Sequence, residues 1–548
     1  MIEFRPALLT SLKHYSREKF TADLMAGIIV GIVALPLAIA FGIASGVSPE
    51  KGIITAIIAG FLTSALGGSR VQIGGPTGAF IVIVYGIIQQ YGIEGLTVAT
   101  IMAGVFLILL GLFRLGTIIK FIPYPIVVGF TSGIAVTIFT TQIKDLFGLT
   151  TPEMPGDFAG KWMVYFQNFG TIDLWATAVG VISVAIIALT PRFSKKIPGS
   201  LIAIVVMTLA VYLLKRYAGI DSVETIGDRF TINSQLPDAV IPALSWEGMK
   251  GLLPAAITIA VLGAIESLLS ATVADGVTGD KHNSNQELVA QGIANVVTPL
   301  FGGIPATGAI ARTAANIKNG GRTPIAGMVH SVVLLLILVV LMPYAALIPM
   351  PVIAAILFMV AYNMCDIKTF VNLCKTSPKS DIIVLVSTFV LTVVFDLVVA
   401  IEVGILLAAI LFMKRMSDVT EVEGWKYVDE DDDADSLALR VVPDHITVYE
   451  ISGPLFFGAA DKILKITLDE KRRCLVLRMR SVSAIDATAM HNLEKLYEDC
   501  QKKGIQLIFS HVNEQPWRVM EKNGFIEKVG ADNFCAHIDD ALKRAEQL

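Results

Sequence analysis

The chain has 548 residues, of which 54% are hydrophobic and only 16% are charged, and its mean hydropathy is +0.68. Because a soluble domain carries about 25% charged residues, most of this chain is expected to lie in a membrane. The net charge of −4 argues against a nucleic-acid partner, and the five cysteines form no CxxC pair that would indicate a zinc site. No HExxH, GxSxG or Walker-type loop is present, so we predict that the protein is not an enzyme.

Fourteen hydrophobic segments are predicted between residues 20 and 415. A helix needs about 20 apolar residues to cross a bilayer, and fewer where it is broken inside the protein. The third and tenth segments are too short to cross alone, so each is expected to be an extended stretch followed by a half-helix. The segments are 24–43, 50–66, 75–91, 95–113, 120–143, 171–190 and 198–215, then 252–272, 286–301, 306–317, 324–343, 349–365, 380–396 and 398–414.

Two short motifs recur at nearly the same spacing. The stretch 74–79 (GGPTGA) returns at 302–309 (GGIPATGA), and its Thr-Gly-Ala triplets begin at Thr77 and Thr307, 230 positions apart. The stretch 122–125 (IPYP) returns at 348–351 (IPMP). Paired, broken hydrophobic segments in corresponding halves indicate a secondary transporter. Seven is an odd number, so the second set of seven segments must be inverted relative to the first.

Charge predicts the orientation of the chain. With the N-terminus inside, basic residues such as Arg70, Arg114, Lys318 and Lys368 fall in cytoplasmic loops, which is the positive-inside pattern and also places the C-terminus in the cytoplasm. The predicted domains are a cytoplasmic N-terminal segment (1–19), a first repeat (20–217), an external loop (218–250), a second repeat (251–415), an acidic linker (416–439) and a soluble domain (440–548).

The soluble domain alternates strand and helix patterns and is predicted to be an α/β domain. Strands are expected at 445–452, 474–479 and 505–510, and helices at 460–468, 488–502, 515–523 and 538–547. The acidic run 429–435 before it is interpreted as a solvated linker. Asp486 or Thr488 is expected to cap a helix N-terminus, and a phosphorylatable hydroxyl at that place could act as a regulatory switch.

Glu266 is the only carboxylate in the middle of a predicted span. A charge at the bilayer centre costs about 3 kcal/mol even on lenient scales, so such a group faces a cavity, pairs or takes a proton. Ser270 lies one turn further on the same helix face and can supply an oxygen beside it. We interpret the two as a coupling-ion or proton site next to a substrate. The alternative is a structural carboxylate that backbone amides satisfy.

The two Thr-Gly-Ala stretches are predicted to form an anion site. Thr77-Gly78-Ala79 and Thr307-Gly308-Ala309 would place two half-helix N-termini near the membrane midplane, each with about half a positive charge and free N–H groups. In an inverted repeat these ends point toward each other, and the gap between them suits an anion. The alternative is that the glycines only permit close helix packing.

Two further features surround this site. Arg312, in the second half-helix, would add to the anion-attracting field, pair with Glu266, or extend toward the loop that holds Lys318. The polar loop 275–288 is expected to cap helix ends rather than cage a cation, because Ser284 and Glu287 have capping-box spacing.

These motifs together resemble the sulfate permease (SulP) family, the bacterial branch of solute carrier 26. The matching stretches are Gly31–Phe41, Gly74–Ala79, Gly263–Leu269, Asp280–Leu288, Gly302–Pro305 and Ala311–Thr313, and the tail resembles the family's STAS domain at Gly453–Phe457 and Ile485–Thr488. The resemblance implies a polytopic α-helical membrane protein with a 7+7 inverted repeat, core and gate domains, and a cytoplasmic α/β STAS domain. It also implies an elevator-like movement, a homodimer, and a place in the bacterial inner or plasma membrane.

The resemblance also implies the lining of the anion pocket. The implied positions are Phe41, Thr77, Gly78, Ala79, Glu266, Ser270, Gly308, Ala309 and Arg312. Two departures matter: Leu37 stands where some relatives have Glu or Gln, and sodium-coupled bicarbonate members have Asp, Thr and Thr where this chain has Glu266, Ser270 and Ile310. Ile310 removes a hydroxyl from any sodium site, so a proton is the expected coupling ion, with no other cofactor.

The resulting hypothesis is a proton-coupled symporter of a small anion, which could be a dicarboxylate, bicarbonate or sulfate. The pattern is nearest to the proton-coupled bacterial C4-dicarboxylate members. The alternatives are a sodium-coupled bicarbonate or sulfate symporter, an anion exchanger or channel, a nucleobase–proton symporter, and a sensor or scaffold. A nucleobase carrier would need a second carboxylate where the tenth segment has Arg312. An unidentified cytoplasmic protein is an expected partner of the soluble domain.

Overall fold

The computed structural model describes residues 5–13, 15–117, 123–152, 154–155, 157–193, 198–232, 237–242, 246–395, 397–424, 442–443, 445–469 and 471–548. The chain divides into two compact units, Met1–Ile405 and Leu406–Leu548. The predicted acidic run 429–435 lies outside the described residues.

The first unit is helical apart from two very short strands. Its helices begin at polar caps, prolines or glycine-rich breaks and are otherwise apolar. They are α1 (Ala7–Leu12), α2 (Arg17–Ala44), α3 (Pro49–Leu66), α4 (Ile81–Leu112), α5 (Tyr124–Phe147), α6 (Phe158–Asn168), α7 (Leu174–Phe193), α8 (Gly199–Leu213), α9 (Ile226–Arg229), α10 (Trp246–Thr278), α11 (Ser284–Val297), α12 (Ile310–Lys318), α13 (Pro324–Ala345), α14 (Met350–Cys365), α15 (Ile367–Thr376) and α16 (Lys379–Val394). Helix α17 (Leu397–Val419) begins in the first unit and ends in the second. The strands are β1 (Gly74–Gly75) and β2 (Thr307–Gly308).

The predicted hydrophobic segments correspond to helices, but their number as membrane spans stays a prediction. Within the described ranges, nine helical segments are long and apolar enough to cross a membrane by length and composition. The segments predicted at 75–91 and 95–113 correspond to two helical parts of α4 that meet at a kink at Gly92, where φ is +70°. The first of them is preceded by the strand β1 and a 3-10 turn at Gly78–Phe80. The tenth predicted segment is extended at Thr307–Gly308 and then helical in the nine-residue α12, as expected for a half-helix.

The two halves of the first unit are interleaved. Helix α2 packs on α13, α4 packs on α11 and α10, and α5 packs on α14. The crossing of α4 and α11 is close because a glycine from each helix lies at the contact. A Cβ atom built on Gly104 would lie 2.6 Å from the carbonyl oxygen of Gly292, so only the absent side chain permits this approach. Helices α5, α7, α14 and α16 form a second packed group.

Two buried carboxylates fix loops of the first unit. Asp23 in α2 accepts hydrogen bonds from the backbone N–H groups of Arg322 (2.8 Å) and Thr323 (3.1 Å), just before α13 begins. Glu287 in α11 accepts from Gly68 N (2.9 Å) and Ser69 N (3.1 Å), just after α3 ends. Both side chains belong to fully buried residues, so these bonds replace water for the charge.

The polar loop before α11 caps helix ends, as predicted, but through different residues. The N-cap of α11 is Asn283, whose side chain accepts from Gln286 N. The predicted capping box of Ser284 and Glu287 is wrong, because Ser284 contacts the His282 ring and Glu287 bonds across to the α3 loop. Sequence spacing alone could not show that a tertiary partner for Glu287 was available.

The second unit contains a five-stranded sheet. Its strands are β3 (Glu421–Gly424), β4 (Ile446–Ser452), β5 (Cys474–Ser481), β6 (Gln506–Ser510) and β7 (Phe534–Cys535), in that order across the sheet. Strand β3 is antiparallel to β4, and the other pairs are parallel. Its helices are α18 (Ala487–Lys502), α19 (Glu514–Lys522), α20 (Phe525–Val529) and α21 (Ile538–Glu546), and residues Ala460–Lys465 form a 3-10 helix.

The predicted α/β class of the tail is therefore confirmed, with one correction at its start. Residues 416–419 continue α17 and residues 421–424 form β3, although both stretches were assigned to the acidic linker 416–439. Strand β3 has the sequence EVEG, which is too polar and short to be read as a strand without its partner β4. The short strand β7 and helix α20 were also not predicted.

Candidate functional site

The two broken segments meet in a small antiparallel ribbon. Strand β1 pairs with β2 so that Gly74 lies opposite Gly308 and Gly75 lies opposite Thr307. Ala309 N extends the pairing by donating to Ile73 O at 2.9 Å. The chain turns into a helix on leaving each strand, at Gly78 in the first half and at Ile310 in the second. The ribbon thus brings together the starts of two helices from opposite halves.

Neither helix start is capped by a side chain. Thr77 precedes the 3-10 turn Gly78–Phe80 that leads into α4, and Ala309 precedes α12, and neither makes a side-chain cap hydrogen bond. The first N–H groups of a helix have no partner within the helix, and they carry the positive end of its dipole. Two uncapped starts at one ribbon therefore form a place where a negative charge is stabilised.

Not every predicted donor is free. Ala309 N is taken by the ribbon, and Gly308 N donates to Ser267 Oγ at 3.1 Å. In the second half the available N–H groups are therefore those of the first turn of α12, beginning at Ile310. In the first half, the Gly78 and Ala79 N–H groups at the helix start are not engaged by any hydrogen bond within the described residues. The N–H groups of Gly308 and Ala309 are thus engaged within the protein, and the part of these two residues in lining the anion site stays a prediction.

Glu266 in α10 is linked directly to the first broken segment. Thr77 Oγ1 donates to Glu266 Oε2 at 2.9 Å, and both residues are half-buried. This bond joins a helix of the second half to the Thr-Gly-Ala triplet of the first half, across 189 positions of sequence. The alternative that backbone amides satisfy this carboxylate finds no support, since its hydrogen-bond partner is the Thr77 hydroxyl.

Ser270 does not bond to Glu266, although both lie on one face of α10. Its hydroxyl donates to Thr313 Oγ1 at 3.3 Å, and the residue is 1% exposed. Ser270, Ile310 and Thr313 line one side of a cavity of about 360 Å³ between α10 and α12, with Lys318 among its other lining residues. The Ile310 side chain is 41% exposed, so a hydrophobic group occupies the position where a hydroxyl would stand beside this cavity.

Arg312 holds the ribbon together. Its Nη2 donates to the carbonyl oxygen of Pro76, and the residue is 2% exposed. Gly75, with φ +145°, lies against the guanidinium, and a Cβ at that position would collide with Nη1. No ion pair joins Arg312 to Glu266 among the described residues, and the guanidinium contacts the first broken segment through Pro76. Its positive charge is therefore fixed beside the two helix starts.

Several residues that support the ribbon were not singled out as site residues. Ser267 Oγ and Thr307 Oγ1 lie 2.6 Å apart, and Thr307 Oγ1 also donates to Gly263 O at 3.0 Å. Asn295 fixes Ala306, the residue before Thr307, because its side chain accepts a hydrogen bond from Ala306 N and donates one to Ala306 O. Polar residues within apolar spans were the available signal for all three, but their partners lie far away in sequence.

Phe41 is brought to the same place, and so are two residues from the second helix group. A Cβ built on Gly78 would lie 3.6 Å from Phe41 Cε1, 3.5 Å from Ile138 Cδ1 and 3.0 Å from Met364 Sδ. Ile138 belongs to α5 and Met364 to α14. The first-half helix start thus faces an apolar wall contributed by both helix groups, which no sequence motif indicated.

In the second unit, the predicted helix cap is confirmed at Asp486. Its Oδ1 accepts from Ala489 N (2.9 Å) at the start of α18, and its Oδ2 accepts from Phe457 N (2.8 Å). Thr488 is exposed in the first turn of α18. A regulatory role for either residue stays a prediction.

Comparison with known proteins identifies the family. Residues 20–388 match the sulfate permease family, and residues 438–541 match the STAS domain. The chain belongs to the sulfate permease family. It is therefore an integral membrane transporter with a C-terminal STAS domain, and the predictions of family, fold class and absence of enzymatic activity are confirmed.

This chain is similar to known relatives and to solved structures over most of its length. "Putative sulfate transporter YvdB" of Bacillus subtilis (strain 168) is 44% identical over 96% of this chain and 98% of its own length. "Bicarbonate transporter BicA" of Picosynechococcus sp. is 32% identical over 95% of this chain and 94% of its own. The murine Solute Carrier 26 family member A9 anion transporter, solved in the inward-facing state, is 19% identical with a TM-score of 0.88, covering 100% of this chain and 94% of its own, which shows a shared fold. The transmembrane domain of a cyanobacterial BicA has a TM-score of 0.64 and 30% identity, covering 72% of this chain and 98% of its own.

Proposed function

We propose that the protein is a proton-coupled symporter of a small oxyanion such as sulfate or bicarbonate in a bacterial plasma membrane. The observation that carries this proposal is the pair of uncapped helix starts at the ribbon, with Arg312 fixed beside them. The N–H groups at these starts bind the anion, and Arg312 contributes long-range attraction. The relatives YvdB and BicA, named as a sulfate and a bicarbonate transporter, support an oxyanion of this size.

Glu266 is the proposed coupling group. Thr77 sits at the first helix start and donates to Glu266, so the anion site and the carboxylate share one hydrogen bond. An ionised Glu266 would repel an anion bound at these helix starts, whereas a protonated Glu266 would not. Proton binding and anion binding therefore favour each other, which is the thermodynamic requirement for symport.

A proton is favoured over sodium by the oxygen atoms around the carboxylate. A sodium ion needs several oxygen ligands. The Ser270 hydroxyl is directed to Thr313, and Ile310 offers no oxygen. Among the described residues, the side chain that hydrogen-bonds to Glu266 is Thr77, and its hydroxyl acts as a donor.

Transport is proposed to occur by an elevator-like movement. The ribbon, Phe41, Glu266 and Arg312 belong to the group of helices that packs around α2, α4, α10 and α12, whereas Ile138 and Met364 belong to the group around α5 and α14. Sliding of the first group against the second would carry the bound anion past this apolar wall. A homodimer with both termini in the cytoplasm is the expected assembly.

Uptake of labelled anions into proteoliposomes tests the proposal. With sulfate, bicarbonate and succinate offered separately, and with pH and sodium gradients imposed independently, we expect uptake driven by a pH gradient (acid outside) and no response to sodium. Glu266→Gln should abolish the response to the pH gradient while anion binding at equilibrium persists. Glu402→Gln, which changes an exposed carboxylate in α17, should behave as wild type.

Two outcomes would contradict this function. Uptake driven by sodium with no response to pH would indicate a sodium-coupled carrier. Currents that follow the anion gradient alone, without proton flux, would indicate a passive channel.

A further inference from the structure

A polar row crosses the sheet of the STAS domain at the carboxyl ends of its parallel strands. The register places Glu450 opposite Arg478, Arg478 opposite Ser510, and Ser510 opposite Cys535. Register partners in a parallel sheet point to the same face, so these four side chains form one line across β4, β5, β6 and β7. Carboxyl ends of parallel strands are where α/β folds bind ligands.

Helix α21 covers this face and begins at the row. Below the row the face is apolar and packs against the buried side of α21, through Ile446, Val448, Cys474, Val476 and Ile508 on the sheet and Ile538, Ala541, Leu542 and Ala545 on the helix. The thiol of Cys474, at the start of β5, contacts the carbonyl of Ala545 at the end of α21. The helix therefore runs back along the sheet, and its N-terminus lies at the carboxyl edge.

The N-terminus of α21 is uncapped. His537 is the N-cap residue and makes no side-chain cap hydrogen bond. The first-turn N–H groups thus lack side-chain partners at the place where the helix dipole is positive. Asp539 and Asp540 in this turn are exposed, on the side of the helix away from the sheet.

Two buried polar atoms at this edge have no hydrogen-bond partner. Ser510 is 0% exposed, and its Oγ has no partner within the described structure. The same holds for Nδ1 of the adjacent His511, whose backbone has φ +54°, an uncommon conformation for a residue other than glycine. Buried polar groups are nearly always hydrogen-bonded. Two neighbouring buried atoms without a hydrogen-bond partner therefore indicate that a bound molecule supplies the partner.

The surroundings of these atoms are positively charged. Arg480 lies two residues after Arg478 in β5, past a register shift with β4, and its charge acts on His511. His537 Nδ1 lies 3.4 Å from His511 Nε2. Glu450 is neutralised by its ion pair with Arg478, at 2.9 Å. Burial lowers the pKa of His511, and the neighbouring charges of Arg478, His537 and Arg480 lower it further, while Glu450 opposes them. Burial and these positive charges therefore both disfavour the protonated ring, and a bound anion would oppose them.

We propose that this edge of the STAS domain binds a phosphate-like oxyanion. The ligand is held by the first-turn N–H groups of α21, the hydroxyl of Ser510, the ring of His511 and the guanidinium of Arg480. The site lies on the opposite face of the sheet from α18 and its cap Asp486, because α18 packs with the other apolar cluster. Free phosphate, free sulfate and the phosphate of a nucleotide share the required chemistry.

Equilibrium binding of inorganic phosphate to the full-length protein in nanodiscs tests this proposal. Titrations at constant ionic strength, with phosphate, sulfate and AMP as separate probes, distinguish the sources. Ser510→Ala, Arg480→Ala and His511→Gln should each weaken this binding at least tenfold. Lys522→Ala, an exposed change on α19, should leave it unchanged. The transmembrane site is intact in every variant, so the difference from wild type isolates the STAS site.

The pH dependence gives a second readout that a purely structural role would not produce. A bound anion favours the protonated ring of His511, so binding takes up a proton and should tighten by up to about tenfold per pH unit as pH falls from 8 to 6. In His511→Gln this pH dependence should be lost. Phosphate itself titrates in this pH range and sulfate does not, so sulfate binding shows the contribution of His511 alone. Thermal unfolding without ligand confirms that each variant is folded. Equal binding by wild type and all three variants, or no phosphate bound at millimolar concentration, would overturn the proposal.

Discussion

At the scale of single residues, Thr77 is the group that connects the anion site with the proposed coupling carboxylate. Its backbone precedes the first helix start, and its hydroxyl donates to Glu266 Oε2 at 2.9 Å. The sequence singled out both residues and placed them near each other, but it did not predict a hydrogen bond between them. The hydrogen bond makes them one unit, because without it Glu266 has no hydrogen-bond donor among the residues that the structure describes.

We predict that Thr77→Val impairs transport more than folding. A hydrogen bond to a carboxylate contributes about 1.5–3 kcal/mol, so proton-driven uptake should fall by about tenfold to a hundredfold. Thr77→Ser keeps the hydroxyl and should retain most of the uptake. The measurement is initial uptake per folded protein in proteoliposomes with acid outside. Equal uptake by the valine and serine variants would show that the hydrogen bond has no part in coupling.

Arg312 shows where residue-scale prediction stops. An arginine within the second half-helix was a clear signal in the sequence, and three roles for it were open. The structure directs Nη2 to the carbonyl of Pro76, in the other half of the protein. This carbonyl can accept the bond only because the ribbon brings Pro76 beside α12. That contact depends on the tertiary structure, and no local sequence pattern predicts it.

At the scale of elements, the helix starts depend on loops that buried carboxylates hold in place. Glu287 accepts hydrogen bonds from the backbone of Gly68 and Ser69 and from the side chains of Gln72 and Gln291. Gln72 lies two residues before β1, the first strand of the ribbon. Glu287 therefore positions the first broken segment without touching the anion site.

We predict that Glu287→Gln strongly destabilises the protein. The substitution turns an acceptor into an N–H donor among buried donors, so at least one of them loses its partner, at a cost of about 3 kcal/mol or more. Thermal unfolding in detergent, followed by size exclusion, should show a lower midpoint or loss of the monodisperse peak. Glu94→Gln, at an exposed position of α4, should unfold like wild type. An unchanged midpoint for Glu287→Gln would mean that this network contributes little.

We further predict that Gly308→Ala is more damaging than Gly78→Ala. A Cβ on Gly308 would collide with the amide of Gln72, which its bond to Glu287 keeps from moving, and would lie 3.2 Å from the backbone of Ser267. A Cβ on Gly78 would meet the flexible end of Met364 at 3.0 Å, which can shift. We expect Gly308→Ala to lower the unfolding midpoint, because overpacking costs about 1–3 kcal/mol. Gly78→Ala should stay folded but bind the anion more weakly. The same unfolding assay, combined with equilibrium anion binding, separates the two effects, and equal midpoints would contradict the argument.

At the scale of the whole molecule, the proposed transport site lies entirely in the first unit. Phe41, the ribbon, Glu266 and Arg312 all belong to Met1–Ile405, whereas the STAS domain belongs to the second unit. The chemistry of anion and proton binding therefore does not require STAS residues. This division favours regulation, rather than transport, as the contribution of the tail.

We predict that deletion of residues 430–548 preserves uptake but alters its control. Uptake per folded protein should stay within about threefold of the full chain, since no site residue is removed. If the oxyanion site of the STAS domain regulates transport, cytoplasmic phosphate should change uptake by the full chain and not by the truncated one. Complete loss of uptake by a truncated protein that is still folded would show that the tail is part of the transport machinery.

The sequence by itself determined the fold class, the positions of most helices, the family and the residues worth testing. Hydrophobic runs, broken segments and an isolated carboxylate are local features of the sequence. They are informative in a membrane protein because a polar group inside an apolar span is costly unless it has a partner or a function. Only the tertiary structure decided how these features meet: the pairing of Gly74 with Gly308, the bond from Thr77 to Glu266, the occupied N–H groups of Gly308 and Ala309, and the wall formed by Ile138 and Met364. Each of these joins residues far apart in the chain, and the choice among possible partners depends on packing of the whole unit, which local pattern does not encode.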